Sequence, residues 1–181
     1  PRPAPVTTVA VVPWTRNERA ATVGLKTTSY AENVVALAAA KSVGGTEAIF
    51  ANSAGQLCEG TGSNIFVIRD GVVLTPPMES GPLAGITRAL TIEWCREEGL
   101  EVREEALPLS VLATADEVFI TSSTRDIQAV GTIRVVPTQQ TLAGELLGVD
   151  LAERELGNEP GSVTARAAEI FARLGRERMD P

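Results

Sequence analysis

The stretch NIFVIRDGVVLT, which starts at Asn64, restricts the possible folds more than any other part of the chain. Two apolar runs flank Asp70-Gly71. Asp-Gly between such runs is the strongest short hairpin signal, because the favoured tight turn needs positive φ at both central residues. The chain is therefore expected to contain an antiparallel strand pair, which disfavours a helical bundle and an all-parallel sheet. Around this hairpin the pattern alternates between strand and helix. Residues 6–14 (VTTVAVVPW) are β-branched and apolar and predict a strand. Residues 29–43 carry apolar side chains at helical spacing, with Ser29 as the expected N-cap and Glu32 three residues on. Residues 46–52 predict a strand closed by the turn NSAGQ. Residues 86–98 predict an amphipathic helix closed by Gly99. An alternating strand over 101–109, a short helix over 110–117 and the strand EVFITSS follow. One or two strands are expected over 126–136, and helices over 138–148 and 162–176. Hairpins outnumber βαβ units, so the fold class is α+β with a mixed or antiparallel sheet. The 181 residues suit one domain, and 44% hydrophobic content supplies its core.

Composition removes several chemistries. The chain has no His, which excludes Ser-His-Asp triads, Cys-His dyads and His-based metal sites. Its two cysteines, Cys58 and Cys95, are too few to close a zinc site without other ligands. Far apart in sequence, they predict reduced thiols and a cytoplasmic location. The net charge of −7, without a basic run, argues against nucleic acid and against an anionic membrane surface as partners. No apolar stretch reaches transmembrane length. The first residues, PRPAPV, lack an initiator Met and lead straight into an apolar run, so the chain is expected to be a fragment lacking an N-terminal part.

Four groups of residues can carry chemistry. The chain has two lysines, and Lys26 stands just before the first predicted helix, four residues from Tyr30. Arg stays protonated, whereas a Lys amine can lose its proton and act as a nucleophile. In CEGTGSNIFVI, Glu59 precedes small residues and a strand, so a planar group can approach it closely. In GPLAGITRA, a glycine precedes Ile86 and Thr87 at a predicted helix start, a natural anion site. In FITSSTRD, the hydroxyl residues Thr121 to Thr124 follow a strand. Each group alone also fits a plain alternative: a solvated lysine, an exposed turn acid, an ordinary helix start, a polar turn. Together they supply an amine nucleophile, a carboxylate for a flat ring and two neutral phosphate cradles. Pyridoxal 5′-phosphate (PLP) needs all three.

The motifs LKTTSYAENV, EGTGSNIFVIRDGVVLTPP, LAGITR and DEVFITSS, in this order, resemble the class IV (fold-type IV) PLP-dependent enzymes. That family includes branched-chain and D-amino-acid aminotransferases and aminodeoxychorismate lyase. The resemblance runs from about residue 25 to about residue 130, and the 33-residue gap from Lys26 to Glu59 fits it. It implies the large cofactor-binding domain of that fold, a mixed sheet or pseudo-barrel flanked by helices. Residues 1–181 would then be a C-terminal domain whose small N-terminal companion is absent. By the resemblance, Lys26 is the Schiff-base lysine and proton shuttle, and Glu59 pairs with the pyridine nitrogen. Ile86 and Thr87 form one phosphate cradle, Ser123 and Thr124 the second. Leu83 lies against the ring, and Tyr30 matches a tyrosine bonded to the ring's 3′ oxygen. Homodimers are the implied assembly. Arg125 and Arg134 could meet a substrate carboxylate, but they read as surface arginines.

The reaction the resemblance implies is amino-group transfer between an amino acid and a 2-oxo acid. Aminodeoxychorismate lyase, which releases pyruvate and 4-aminobenzoate for folate, is the alternative. Branched-chain enzymes usually carry Glu where this chain has Ser63, and KTTSYAEN keeps the shorter lysine spacing of the lyase and D-amino-acid branches. Both features lean toward those branches. A non-catalytic binding homologue is the reading from another class; the presence of both Lys26 and Glu59 argues against it.

Overall fold

The computed structural model describes residues 4–137 and 151–178. The predicted helix over 138–148 lies outside the described residues. Nine strands form one sheet: β1 (Val6–Arg16), β2 (Glu47–Asn52), β3 (Leu57–Gly60), β4 (Asn64–Arg69), β5 (Val72–Thr75), β6 (Val102–Glu104), β7 (Glu117–Ser122), β8 (Asp126–Val135) and β9 (Arg154–Glu155). The strand order is β3-β2-β1-β8-β7-β4-β5-β6, with β9 added to β8. β1 pairs in parallel with β2 and β8, and β5 with β6; the other pairings are antiparallel. The sheet is therefore mixed, as the hairpin-rich pattern predicts. The β4–β5 hairpin turns at Asp70 (φ 50°) and Gly71 (φ 78°), the two positive values its turn requires.

Both faces of the sheet are covered, which explains why its strands read as continuous apolar runs. Alternate residues of one strand enter different cores. Ile65, Val67, Val118 and Ile120 join Val9, Ile49 and Leu112 on one side. Phe66, Ile68 and Phe119 face the other, with Ile92 and Cys95. There Phe66 and Phe119 stack with ring centroids 4.6 Å apart.

Among the described residues three helices flank the sheet: α1 (Ala31–Ser42), α2 (Ile86–Glu97) and α3 (Ser162–Arg178). α1 lays Ala36 and Ala40 on Ala10, Ala48 and Phe50, while Val34 and Val35 remain exposed. The small alanines let the helix approach the sheet closely. Its N-cap is Tyr30, with no side-chain cap bond, so the expected Ser29 capping box does not form. α3 is capped from the sheet. The Glu117 carboxylate accepts the amide N–H of Val163 (3.1 Å) and Thr164 (2.8 Å), placing an anion at the positive end of the helix. The alternating run over 101–109 forms a strand only over Val102–Glu104; beyond it Pro108 cannot donate to a ladder and a 3₁₀ turn, Leu109–Ala113, begins. The latter stands where a short helix was expected. Residues 126–135 form one strand rather than two.

α2 ends in a Schellman arrangement: Gly99 N–H donates to Arg96 O (3.1 Å) and Leu100 N–H to Cys95 O (2.9 Å). Gly99 has φ +81°, and a Cβ there would meet open space. The cost of Gly99→Ala is therefore purely conformational. Urea unfolding should show a loss of about 1–2 kcal/mol. No change would mean that α2 does not end in this conformation.

Candidate active site

The C-terminal end of β1, the segment entering α1, the turn after β3, the start of α2 and the turn after β7 surround one cleft of about 360 Å³. This volume lies within the roughly 300–1,000 Å³ of small-molecule sites. Lys26, Tyr30, Glu59, Leu83, Ile86, Thr87 and Ser123 all line it. Thr124 does not; it lines a neighbouring depression with Arg125 and Gln128. Seven of the eight residues singled out from the sequence thus share one cleft, and the eighth flanks it.

Glu59 is held more elaborately than its local sequence implies. One oxygen accepts the amide N–H of Leu83 at 2.8 Å. The other lies 3.3 Å from Arg16 Nε, an ion-pair distance at an angle that leaves this N–H without an acceptor. Burial pushes the Glu59 carboxyl above its ordinary range, while the Leu83 amide and the Arg16 charge oppose the shift. Arg16 also bonds Asn33 Oδ1, lies 3.5 Å from Glu32 and stacks over Phe50 at 4.0 Å. The register of β1 against β2 shifts between Val11 and Thr15, a span that contains Pro13. Pro has no N–H to pair, so the ladder is interrupted between Val11 and Thr15 and resumes at Thr15 and Arg16.

Lys26 stands in the irregular segment before α1. It is exposed, and its Nζ donates to Tyr30 Oη at 3.4 Å. The two residues are neighbours without sharing a helix face, since α1 begins only at Ala31.

The start of α2 is fixed from below. Asn64 Nδ2 donates to Leu83 O at 2.8 Å, so Leu83 is gripped at its amide by Glu59 and at its carbonyl by Asn64. A Cβ on Gly85 would overlap Asn64 Oδ1, which explains a glycine at this N-cap. Without a side chain, Gly85 cannot cap the first amides of α2, and they retain the capacity to bind an anion. Arg88, buried in the first turn, ties the helix to Pro76 O (2.8 Å) and Glu104 (2.9 Å). Two hydroxyls among the cleft's lining residues, Ser63 Oγ and Thr121 Oγ1, are buried without a hydrogen-bond partner. Such groups are uncommon and call for an explanation.

Sequence reasoning missed Arg16, Asn33, Asn64 and Glu47. For Glu47 a signal existed: it is the one charge on a strand buried at every position. Arg125 corrects an expectation. It is not a free surface arginine, since its guanidinium lies 3.5 Å from the Glu47 carboxylate. Arg134 does lie at the surface, pairing with Glu153 at 2.7 Å. Cys58 and Cys95 are free and buried, and burial pushes the Cys95 thiol up to about 11. Among the described residues, no helix is long and apolar enough to cross a membrane.

Residues 1–133 match the family model described as "Amino-transferase class IV". The chain is 42% identical over 118 residues to a putative branched-chain-amino-acid aminotransferase of Methanocaldococcus jannaschii, covering 64% of this chain and 41% of that one. The solved branched-chain amino acid aminotransferase of Thermobaculum terrenum in its PLP form superposes with a TM-score of 0.79. The match is at 28% identity and covers 96% of this chain and 52% of that one. A putative 4-amino-4-deoxychorismate lyase of Legionella pneumophila superposes with a TM-score of 0.71 at 28% identity, covering 82% of this chain and 56% of that one. The chain thus spans about half, or less, of the length of these relatives.

Proposed function

Because the chain belongs to the amino-transferase class IV family, we propose that its cleft holds pyridoxal 5′-phosphate and that the complete protein transfers an amino group between an amino acid and a 2-oxo acid. The observation that carries this reading is the convergence of Lys26, Glu59 and the start of α2 on one cleft. The residues fit the cofactor: a half-buried carboxylate for a ring nitrogen, an amine, an uncapped helix start for a phosphate, and buried hydroxyls with no partner. When bound, the cofactor supplies an electron sink that makes the substrate's Cα proton removable.

The residues then divide the work. Lys26 is the nucleophile and carries the proton to and from the substrate's Cα. Tyr30, 3.4 Å away, orients the Lys26 amine. Glu59, whose ionised form Arg16 and the Leu83 amide favour against the cost of burial, would retain the proton on the ring nitrogen. The amides of Ile86 and Thr87, the Thr87 hydroxyl and Ser123 would hold the phosphate, with Thr124 flanking the cleft. Leu83 offers an apolar contact to the ring. Residues 1–181 serve as the cofactor-binding domain, and the expected assembly is a homodimer, checked by light scattering.

Purified full-length protein should show a visible absorbance band with added pyridoxal phosphate. It should also convert 2-oxoglutarate in the presence of branched-chain amino acids or D-alanine. No band and no transfer would overturn the reading. Ser63, together with the likeness to the Legionella protein, favours a second reading, elimination of pyruvate from aminodeoxychorismate. Pyruvate release from that substrate, with no transfer to 2-oxoglutarate, would decide for it.

A further inference from the structure

Glu47 sits 3% exposed on β2, where an anion is costly unless it is paired and hydrogen-bonded. Its Oε1 accepts the amide N–H of Thr61 (2.9 Å), the amide of Gly62 (3.3 Å) and the Thr61 hydroxyl. All three donors belong to the turn that follows Glu59. A Cβ on Gly60 would lie 3.1 Å from Glu47 Cγ, so the turn packs directly on this side chain. The other carboxylate oxygen lies 3.5 Å from Arg125 Nη2. Arg125 closes the opposite turn, its amide N–H donating to Ser122 O at 3.2 Å across Ser123 and Thr124. Its guanidinium is braced by Gln128 Oε1 (3.2 Å) and Thr46 O (3.4 Å). One ion pair therefore joins the turn behind Glu59 to the turn of Ser123 and Thr124.

We propose that the Glu47–Arg125 pair is a positioning strut that holds these two turns at a fixed separation, so that one ligand is gripped at its ring by Glu59 and at its phosphate by the Ser123–Thr124 turn. This rests on the pyridoxal-phosphate reading of the cleft. Pyridoxal phosphate spans the two turns that the strut joins and gains from their rigid separation; pyridoxal keeps Lys26 and Glu59 but has no phosphate to reach the second turn. The strut thus acts on the phosphorylated cofactor and leaves unphosphorylated pyridoxal unaffected. Damage confined to the scaffold would weaken both.

The test compares dissociation constants for pyridoxal phosphate and for pyridoxal, by equilibrium dialysis, in the full-length protein and its Glu47→Gln, Arg125→Met and Arg125→Lys variants. Glu47→Gln keeps one oxygen for the Thr61 and Gly62 amides, removes the charge and replaces the oxygen that faces Arg125 with an NH2 donor. Glu47→Gln and Arg125→Met should each raise the pyridoxal-phosphate constant about tenfold or more and leave pyridoxal within about twofold. The double variant should be no weaker than the weaker single one, and Arg125→Lys should recover part of the loss. Equal weakening of both ligands, or of neither, overturns the strut. Should Glu47→Gln fail to fold, the two Arg125 variants carry the same comparison. If the unaltered protein binds neither ligand, the reading of the cleft fails and the strut falls with it. If it binds pyridoxal phosphate and the variants match it, the strut alone is wrong.

Discussion

Lys26→Ala should abolish the visible band of the cofactor-loaded protein and lower amino transfer by more than about 10⁴-fold, the upper range for loss of a single proton-transferring group. The expected loss is this large because, on the proposed function, two roles disappear together, covalent attachment and proton transfer. No neighbour can substitute. Lys41, the chain's other lysine, sits in the last turn of α1, away from the cleft-lining residues. Arg16 is a cation of the cleft, but a guanidinium stays protonated and is not a nucleophile. Lys26→Arg should therefore fail as completely as Lys26→Ala while preserving the charge. Stability should change by less than about 0.5 kcal/mol, because Lys26 is exposed and its hydrogen bond to Tyr30 is long. The variant should still retain some cofactor, since the helix start and Glu59 remain. Retention of the band in Lys26→Ala would mean that another amine carries the cofactor.

Much of this arrangement was legible in short stretches. Asp70-Gly71 predicts its hairpin because two positive φ values are a local demand. Ile86 and Thr87 are identified at a helix start because the glycine before them and the amphipathic run after them are contiguous. Lys26 and Glu59 stand out against local composition. The helix entry after Lys26 was not legible at this detail, since Tyr30 rather than Ser29 occupies the cap. What escaped the sequence is whatever depends on pairing across the sheet. Arg16 meets Glu59 because β1 lies beside β2 and β2 beside β3. Glu47 meets Arg125 because β2 and β8 both run parallel to β1, which brings their N-terminal ends to either side of it. An isolated charge at a strand end or in an apolar run signals that some partner exists without identifying it. Thr124 shows the converse limit: the hydroxyl cluster was visible, but which of its members line the cleft depends on the curl of one turn.

Glu59→Gln should lower kcat by about 10²–10³-fold, the loss seen when one preorganised charge-stabilising group is removed, while changing cofactor affinity far less. The amide preserves size, and its oxygen can still accept the Leu83 N–H, so the wall of the cleft stays in place. The anion that holds a proton on the ring nitrogen is lost. Arg16 keeps Glu32 and Asn33 as partners, which limits the disturbance to one carboxylate. The pH profile separates this role from a packing role. Burial raises the Glu59 carboxyl above its ordinary value of 4.5, and on the proposed function the working form is the ionised one. As pH falls through the raised value, the free protein loses that form. The acid limb of the rate at which the cofactor-free protein takes up pyridoxal phosphate should therefore lie above the ordinary carboxylate position, and Glu59→Gln should remove it. The sign for stability is opposite. A raised carboxyl makes the ionised group a cost to the folded, cofactor-free protein above its raised pKa. That cost vanishes as pH falls below 4.5. Chemical unfolding of the cofactor-free protein should accordingly show part of its destabilisation with rising pH disappear in Glu59→Gln. If the acid limb survives in the variant unchanged, another group is titrating and Glu59 does not govern the ring.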